Sequence, residues 1–234
     1  MKLYAPIKGI FFDIGWTLSY PITKDWWVNK KMIEFIDEST YISISKDRKD
    51  IAFGRAIKYL DDNHYVLTEE GELKQFETFY SILANDLPEL QLNDEKIKAI
   101  AYYRQYSNNN ILFDDTIQTL EALKGKYKLG VISDTWPSVL RNLKNHDIDK
   151  YFDTKTLSCF LGTFKPNKLM YLHALEQMKL APEYTLFIDD SIENLNGAEK
   201  CGIQCVLITA KPEAEKTEKY ISINKLSELL DVLP

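Results

Sequence analysis

Four short stretches of this 234-residue chain carry side chains that could do chemistry together. The first is Phe11-Phe12-Asp13-Ile14-Gly15-Trp16-Thr17-Leu18, and the second closes on Ser133-Asp134. The third runs from Ser158 through Gly162 to Lys165-Pro166, and the fourth is Asp189-Asp190-Ser191-Ile192-Glu193-Asn194. Alone, each has an ordinary explanation. A strand-end Asp or Ser caps a turn or helix, a Lys-Pro sits in a loop, and an Asp-Asp pair is solvated. Their order along the chain, each after an apolar run, is what points to function. Carboxylates brought together at the ends of neighbouring strands cannot all stay ionised without compensation. A hard dication with oxygen ligands compensates them, and Mg2+ prefers such sites. Lys165 would neutralise a carboxylate or a substrate oxyanion, and Ser133 would donate its hydroxyl to the same oxyanion. Such a set suits phosphoryl transfer, where catalysis is mostly positioning and charge stabilisation.

Buried strands have to position these residues. Residues 8–14, 128–133, 184–189 and 204–208 are continuous apolar runs, the pattern of strands covered on both faces, with 153–157 a weaker case. Helical patterns at 116–126, 137–145, 168–179 and 192–200 separate them, the last stopping before Gly202. This alternation predicts an α/β fold: a Rossmann-like parallel sheet flanked by helices, with ligands bound beyond the carboxyl ends of the strands. From residue 19 to 109 the texture changes. Four helical segments (24–37, 46–63, 68–85 and 94–106) follow with no convincing strand, Ser45 and Asn93 serving as N-caps. The expected organisation is a core of residues 1–18 and 110–234 with an inserted all-helical cap domain, 19–109.

Charged residues make up 27% and apolar ones 45%, the balance of a soluble globular protein. The net charge of -6 argues against nucleic acid as a partner, since a phosphate backbone requires a basic face. Three cysteines, Cys159, Cys201 and Cys205, do not make a disulfide framework and read as small buried hydrophobes. No signal peptide or membrane-spanning run is evident, so the expected location is the cytoplasm and no membrane is a partner.

The ordered motifs resemble the haloacid-dehalogenase-like hydrolases across nearly the whole chain. Asp13 matches that family's nucleophilic aspartate, with Thr17-Leu18 completing the motif; Ser133 matches the second motif, Lys165 the third, and Asp189 and Asp190 the acidic fourth. The resemblance implies a Mg2+-dependent phosphatase of a small phosphorylated molecule, working through an aspartyl-phosphate. It implies Asp13, Ser133 and Lys165 as catalytic residues, and Ser133, Asp134, Lys165 and Trp16 at the substrate. The metal would be held by Asp13, the carbonyl of Gly15 and Asp190, with Asp189 and Asn194 in support.

Two positions depart from the pattern. Phosphatase members carry a second aspartate where this chain has Gly15. Glycine keeps the carbonyl but loses a general acid–base group, help typically worth ~10²–10⁴-fold. The candidates to replace it are Asp134, the substrate itself, and a residue of the insert such as Asp25 or Tyr20. Trp16 stands where a small residue is common and would shape the pocket or pack beneath the insert; Trp26 and Trp27 would pack the first cap helix or stack on a substrate ring. Gly15 also keeps two other readings open. One is phosphonate hydrolysis through a Schiff-base lysine among Lys24, Lys30, Lys31, Lys46, Lys49 and Lys58. The other is a phospho-ligand-binding protein with weak turnover. The Asp189-Asp190 pair argues against carbon–halogen cleavage.

Overall fold

The computed structural model describes residues 3–4, 6–214 and 216–233; the outermost ends of the expected core, residues 1 and 234, lie outside them. The chain opens with β1 (Gly9–Phe12) and β2 (Ser19–Pro21). Five helices follow: α1 (Lys30–Phe35), α2 (Glu38–Ser43), α3 (Lys46–Asp62), α4 (Glu69–Asp86) and α5 (Asp94–Tyr106). Next come β3 (Asn110–Leu112), α6 (Thr116–Leu123), β4 (Lys128–Ser133), α7 (Val139–Asn145), β5 (Thr154–Leu157), α8 (Ser158–Leu161) and α9 (Lys168–Met178). The chain closes with β6 (Thr185–Asp189), α10 (Ile192–Lys200), β7 (Gln204–Ile208), β8 (Ile221–Ile223) and α11 (Leu229–Val232). Two compact units result: Met1–Tyr20 with Ile111–Pro234, and Pro21–Asn110.

In the α/β unit six parallel strands stand in the order β5-β4-β1-β6-β7-β8. β1 is central, with Phe12 opposite Val131 of β4 on one side and Ile188 of β6 on the other. Successive side chains leave opposite faces, as a strand requires. Phe11, Ile132, Phe187 and Leu207 pack with Met170, Tyr171, Ala174 and Met178 of α9 and with Leu195 and Ala198 of α10. Ile10, Phe12, Val131, Ile188 and Val206 pack on the other face with Leu120 and Leu123 of α6 and with Val139 and Leu143 of α7. All four β1 side positions are buried, and a fully buried Phe contributes about 1.5–3 kcal/mol. Gly130 is glycine because of this packing: a Cβ there would lie 2.8 Å from Phe11 and 2.9 Å from Met178.

The helical unit packs α4 between α3 and α5, around Phe76, Phe79, Tyr80 and Leu83 of α4. Ser45 and Asn93 cap α3 and α5, their side chains accepting from the backbone N–H of Arg48 and Lys96. Two expectations fail here. The helix expected over 24–37 forms only over Lys30–Phe35. Lys24 takes a left-handed φ of 64°, and the Asp25 carboxylate accepts from the N–H groups of Trp27 and Val28, which holds a turn instead. Asp37 then caps a separate helix, α2, by accepting from Thr40 N. The stretch 19–109 is also not wholly helical, because Ser19–Pro21 is a strand paired with β3.

In the α/β unit, α6 ends at Leu123 rather than at 126, since Gly125 turns the chain at φ 86°. β8 has only three residues and its middle one, Ser222, is exposed, so no apolar run announces it. No helix among the described residues is long and apolar enough to cross a membrane.

Candidate active site

The parallel register places the motif residues at one edge of the sheet. Asp13 follows β1 directly, and its N–H donates to Ile188 O of β6 at 3.0 Å. Ser133 closes β4 and Asp189 closes β6. Neighbouring strands lie ~4.8 Å apart, so these ends stand side by side.

Lys165 joins them. Its Nζ donates to Asp13 Oδ1 and to Asp189 Oδ2, each at 2.7 Å. The lysine side chain is 2% exposed and that of Asp189 is fully buried. Burial works against the ammonium, but Asp13, Asp189 and Asp134 outweigh it and hold Lys165 well above the ordinary lysine value. Two contacts set the Lys165 loop. Asp134 Oδ1 accepts from Lys165 N at 3.0 Å, and Gly197 of α10 lies so close that a Cβ would meet Pro166 O at 2.9 Å.

Asp189 is tied further. Its Oδ1 accepts from Ser191 N at 2.8 Å and from Asn194 Nδ2 at 3.1 Å. Ser191 in turn caps α10. Burial pushes the Asp189 carboxyl up, with Lys165 opposing and Asp13 and Asp190 adding. Asp190 points elsewhere: its Oδ2 pairs with Lys211 Nζ at 2.7 Å. Burial and then Asp13 push Asp190 up, while Lys211 pulls it down. Burial also raises Asp134 to about 6 against the pull of Lys165.

The remaining motif residues have definite places. Ser133 is buried. Ser158 Oγ accepts from Thr135 N at 2.8 Å, tying α8 to the segment after Ser133-Asp134. Trp16 takes a left-handed φ of 57°, uncommon for a bulky residue. Its N–H donates to Ser19 O at 2.7 Å. Its indole stacks on Tyr20 at 5.9 Å, and Tyr20 packs on Phe113 at 4.9 Å.

Other sequence candidates are placed in the helical unit. Asp25 holds its own turn there, and Trp27 stacks on Phe79 at 5.4 Å. Of the lysines considered for a Schiff base, Lys31 and Lys58 pair with Glu34 and Asp62, and Lys49 donates to Tyr41 O.

Sequence reasoning missed Lys211. It carries no motif; its only signal is a position just past the carboxyl end of β7.

The carboxylates of Asp13 and Asp190 are hard oxygen donors suited to Mg2+, and Gly15, two residues after Asp13, is bridged to Ser19 and could add its carbonyl. Asp13 Oδ1 is held by Lys165 and Asp190 Oδ2 by Lys211, so each carboxylate keeps a second oxygen. No group of three His, Cys, Asp or Glu side chains among the described residues could hold a metal by itself. Two carboxylates, a carbonyl and several waters is a set that Mg2+ accepts, because it dehydrates reluctantly.

A family model for haloacid dehalogenase-like hydrolases matches residues 7–202. The chain belongs to that family and is a hydrolase. It is 31% identical to the glyceraldehyde 3-phosphate phosphatase of Methanothermobacter thermautotrophicus over 52% of this chain and 58% of that protein. It is 27% identical to (S)-2-haloacid dehalogenase 4A of Burkholderia cepacia over 59% of this chain and 60% of the relative. The chain thus spans less than two thirds of the length of these two relatives. A glyceraldehyde 3-phosphate phosphatase of Methanocaldococcus jannaschii is 29% identical over 97% of both chains. Among solved structures, a HAD phosphatase from Thermococcus onnurineus superposes with a TM-score of 0.65 at 22% identity, covering 97% of this chain and 98% of that one. That likeness establishes the shared fold.

Proposed function

We propose that this protein is a cytoplasmic, Mg2+-dependent phosphatase of a small phosphorylated metabolite, with Asp13 as the nucleophile. The observation that carries the reading is Lys165 bridging Asp13 and Asp189 at 2.7 Å each, on the strand edge where open α/β sheets bind ligands. The two similar glyceraldehyde 3-phosphate phosphatases support the phosphate ester as substrate class. We carry the cap assignment of the helical unit as part of the same proposal.

In this reading an Asp13 carboxylate oxygen forms a bond to phosphorus as the bond from phosphorus to the leaving oxygen breaks. Water then cleaves the aspartyl-phosphate and frees the carboxylate. Lys165 orients Asp13 and offsets its charge. The Ser133 hydroxyl donates to a phosphoryl oxygen. Asp13, the Gly15 carbonyl and Asp190 would hold Mg2+, which when bound stabilises charge on the phosphoryl oxygens. Gly15 cannot supply the proton that the leaving oxygen needs. Asp134, at the same strand edge and raised to about 6 by burial, is the group in this unit suited to that task.

The test is phosphate release from a panel of small phosphomonoesters, with and without Mg2+. Release is expected to require Mg2+ and to fall about 10³-fold or more in Asp13→Asn. No turnover across the panel would overturn the reading. Gly15 favours one alternative, a protein that accepts a phosphoryl group and releases it slowly. A long-lived aspartyl-phosphate with no steady-state phosphate release would select it.

A further inference from the structure

The strand edge holds more cationic charge than the motifs alone supply. Lys165 is committed to Asp13 and Asp189, and with a side chain only 2% exposed it has nowhere else to go. Lys211 differs. Its Nζ lies 2.7 Å from Asp190 Oδ2, and its side chain is 24% exposed against 13% for Asp190. It follows β7 directly, after Thr209 and Ala210, and lies outside any helix or strand. A lysine is a compact charge on a flexible four-carbon stem, able to swing into water. Asp190 has no such freedom, because it lies between the end of β6 and the start of α10.

Lys211 then stands where a dication would compete with it. Its ammonium lies 2.7 Å from Oδ2 of the carboxylate that the dication would need. A single charge and a double charge ~5 Å apart repel strongly even at an effective dielectric constant of ~20.

We propose that Lys211 is a built-in competitor for the divalent cation. Its ammonium holds Asp190 in the cation-free protein and releases that carboxylate when Mg2+ binds, so Lys211 sets the Mg2+ concentration the protein needs. The inference rests on the assignment of Asp190 as a cation ligand made above. Lys211 is a positioning residue for Asp190 and touches no reacting atom.

The experiment is calorimetric titration of Mg2+, without substrate, into the full-length wild type, Lys211→Met, Lys211→Gln and Lys211→Arg. Both neutral variants are expected to bind Mg2+ about tenfold or more tightly than the wild type. Their melting temperatures should rise at correspondingly lower Mg2+ concentrations. Lys211→Arg keeps the charge and should stay near the wild-type affinity. Equal or weaker Mg2+ binding in the neutral variants overturns the proposal, as does an absence of Mg2+ binding in every protein. The phosphatase reading fails separately. Tighter Mg2+ binding in Lys211→Met with no phosphoester turnover in any variant would sink that reading and leave this inference standing. Equal affinities with Mg2+-dependent turnover would do the reverse.

Discussion

Each unit of this molecule buries an ion pair, and the two pairs are built differently. In the helical unit Glu72 of α4 is fully buried and pairs with Arg104 of α5 at 3.4 Å. The Arg104 guanidinium lies over the Phe76 ring at 3.3 Å. This pair lies between two packed helices, away from any strand end. In the α/β unit Lys165 meets two carboxylates where strands end and loops begin. Asp190 stands beside them and draws in a second lysine. Burial of charge alone therefore does not mark a site here. What sets the proposed site apart is an excess of carboxylate at a strand-end edge, which draws in a second lysine.

The largest expected effect separates the two pairs directly. Removing one partner of a buried pair leaves the other uncompensated, which costs about 3–5 kcal/mol. Lys165→Met and Arg104→Met should both lose stability on that scale in urea unfolding. Only Lys165→Met should also lose turnover, by about 10³-fold or more, since it loses the group that orients Asp13, the proposed nucleophile. Arg104→Met should keep its rate per folded molecule within about twofold. If Arg104→Met folds and is inactive, the distinction collapses.

A smaller effect sharpens the electrostatics of the strand edge. Asp134 titrates near 6 in the folded protein, above the ordinary value of 3.8, because burial disfavours its charge. Its stabilising contribution is therefore fully present below the unfolded value and is lost as pH rises through the folded one. Asn in its place can still accept from Lys165 N. Melting temperatures of Asp134→Asn and wild type should agree near pH 4. The variant should gain on the wild type as pH rises to 6, and the difference should then level off. A difference independent of pH would show that folding does not shift the ionisation of Asp134.

Trp16→Gly should have the smallest effect on stability. A left-handed backbone costs a residue with a side chain about 1–2 kcal/mol, and the stack on Tyr20 returns about 0.5–1.5 kcal/mol. Removing the half-buried indole also loses about 1–2 kcal/mol of apolar burial, so the net loss in chemical denaturation should be about 1–2 kcal/mol. A much larger loss would make Trp16 a structural wedge in the α/β unit.

The α/β unit was more legible than the helical one for a physical reason. β1, β4, β6 and β7 are covered on both faces, and such strands show as unbroken apolar runs. α10 declares both ends, with Ser191 as cap and Gly202 at φ 85° just beyond. In the helical unit the segment before α3 follows local side-chain capping by Asp25 and Asp37, which interrupts an apparent helix and starts another. Such capping competes with helix continuation and leaves no periodic trace.

For the site, the residues themselves determined which chemical groups are available and where along the chain they stand. Asp13, Ser133, Lys165, Asp189 and Asp190 are all readable from their order after apolar runs. Only the tertiary structure decided the pairings. Lys165 lies between Asp13, 152 residues away, and Asp189, 24 residues away, rather than against Asp190. Lys211 takes Asp190 instead. Those choices depend on the register of β1 against β6 and on the path of the chain after β7. Local sequence sets neither, because each is fixed by packing between segments far apart in the chain.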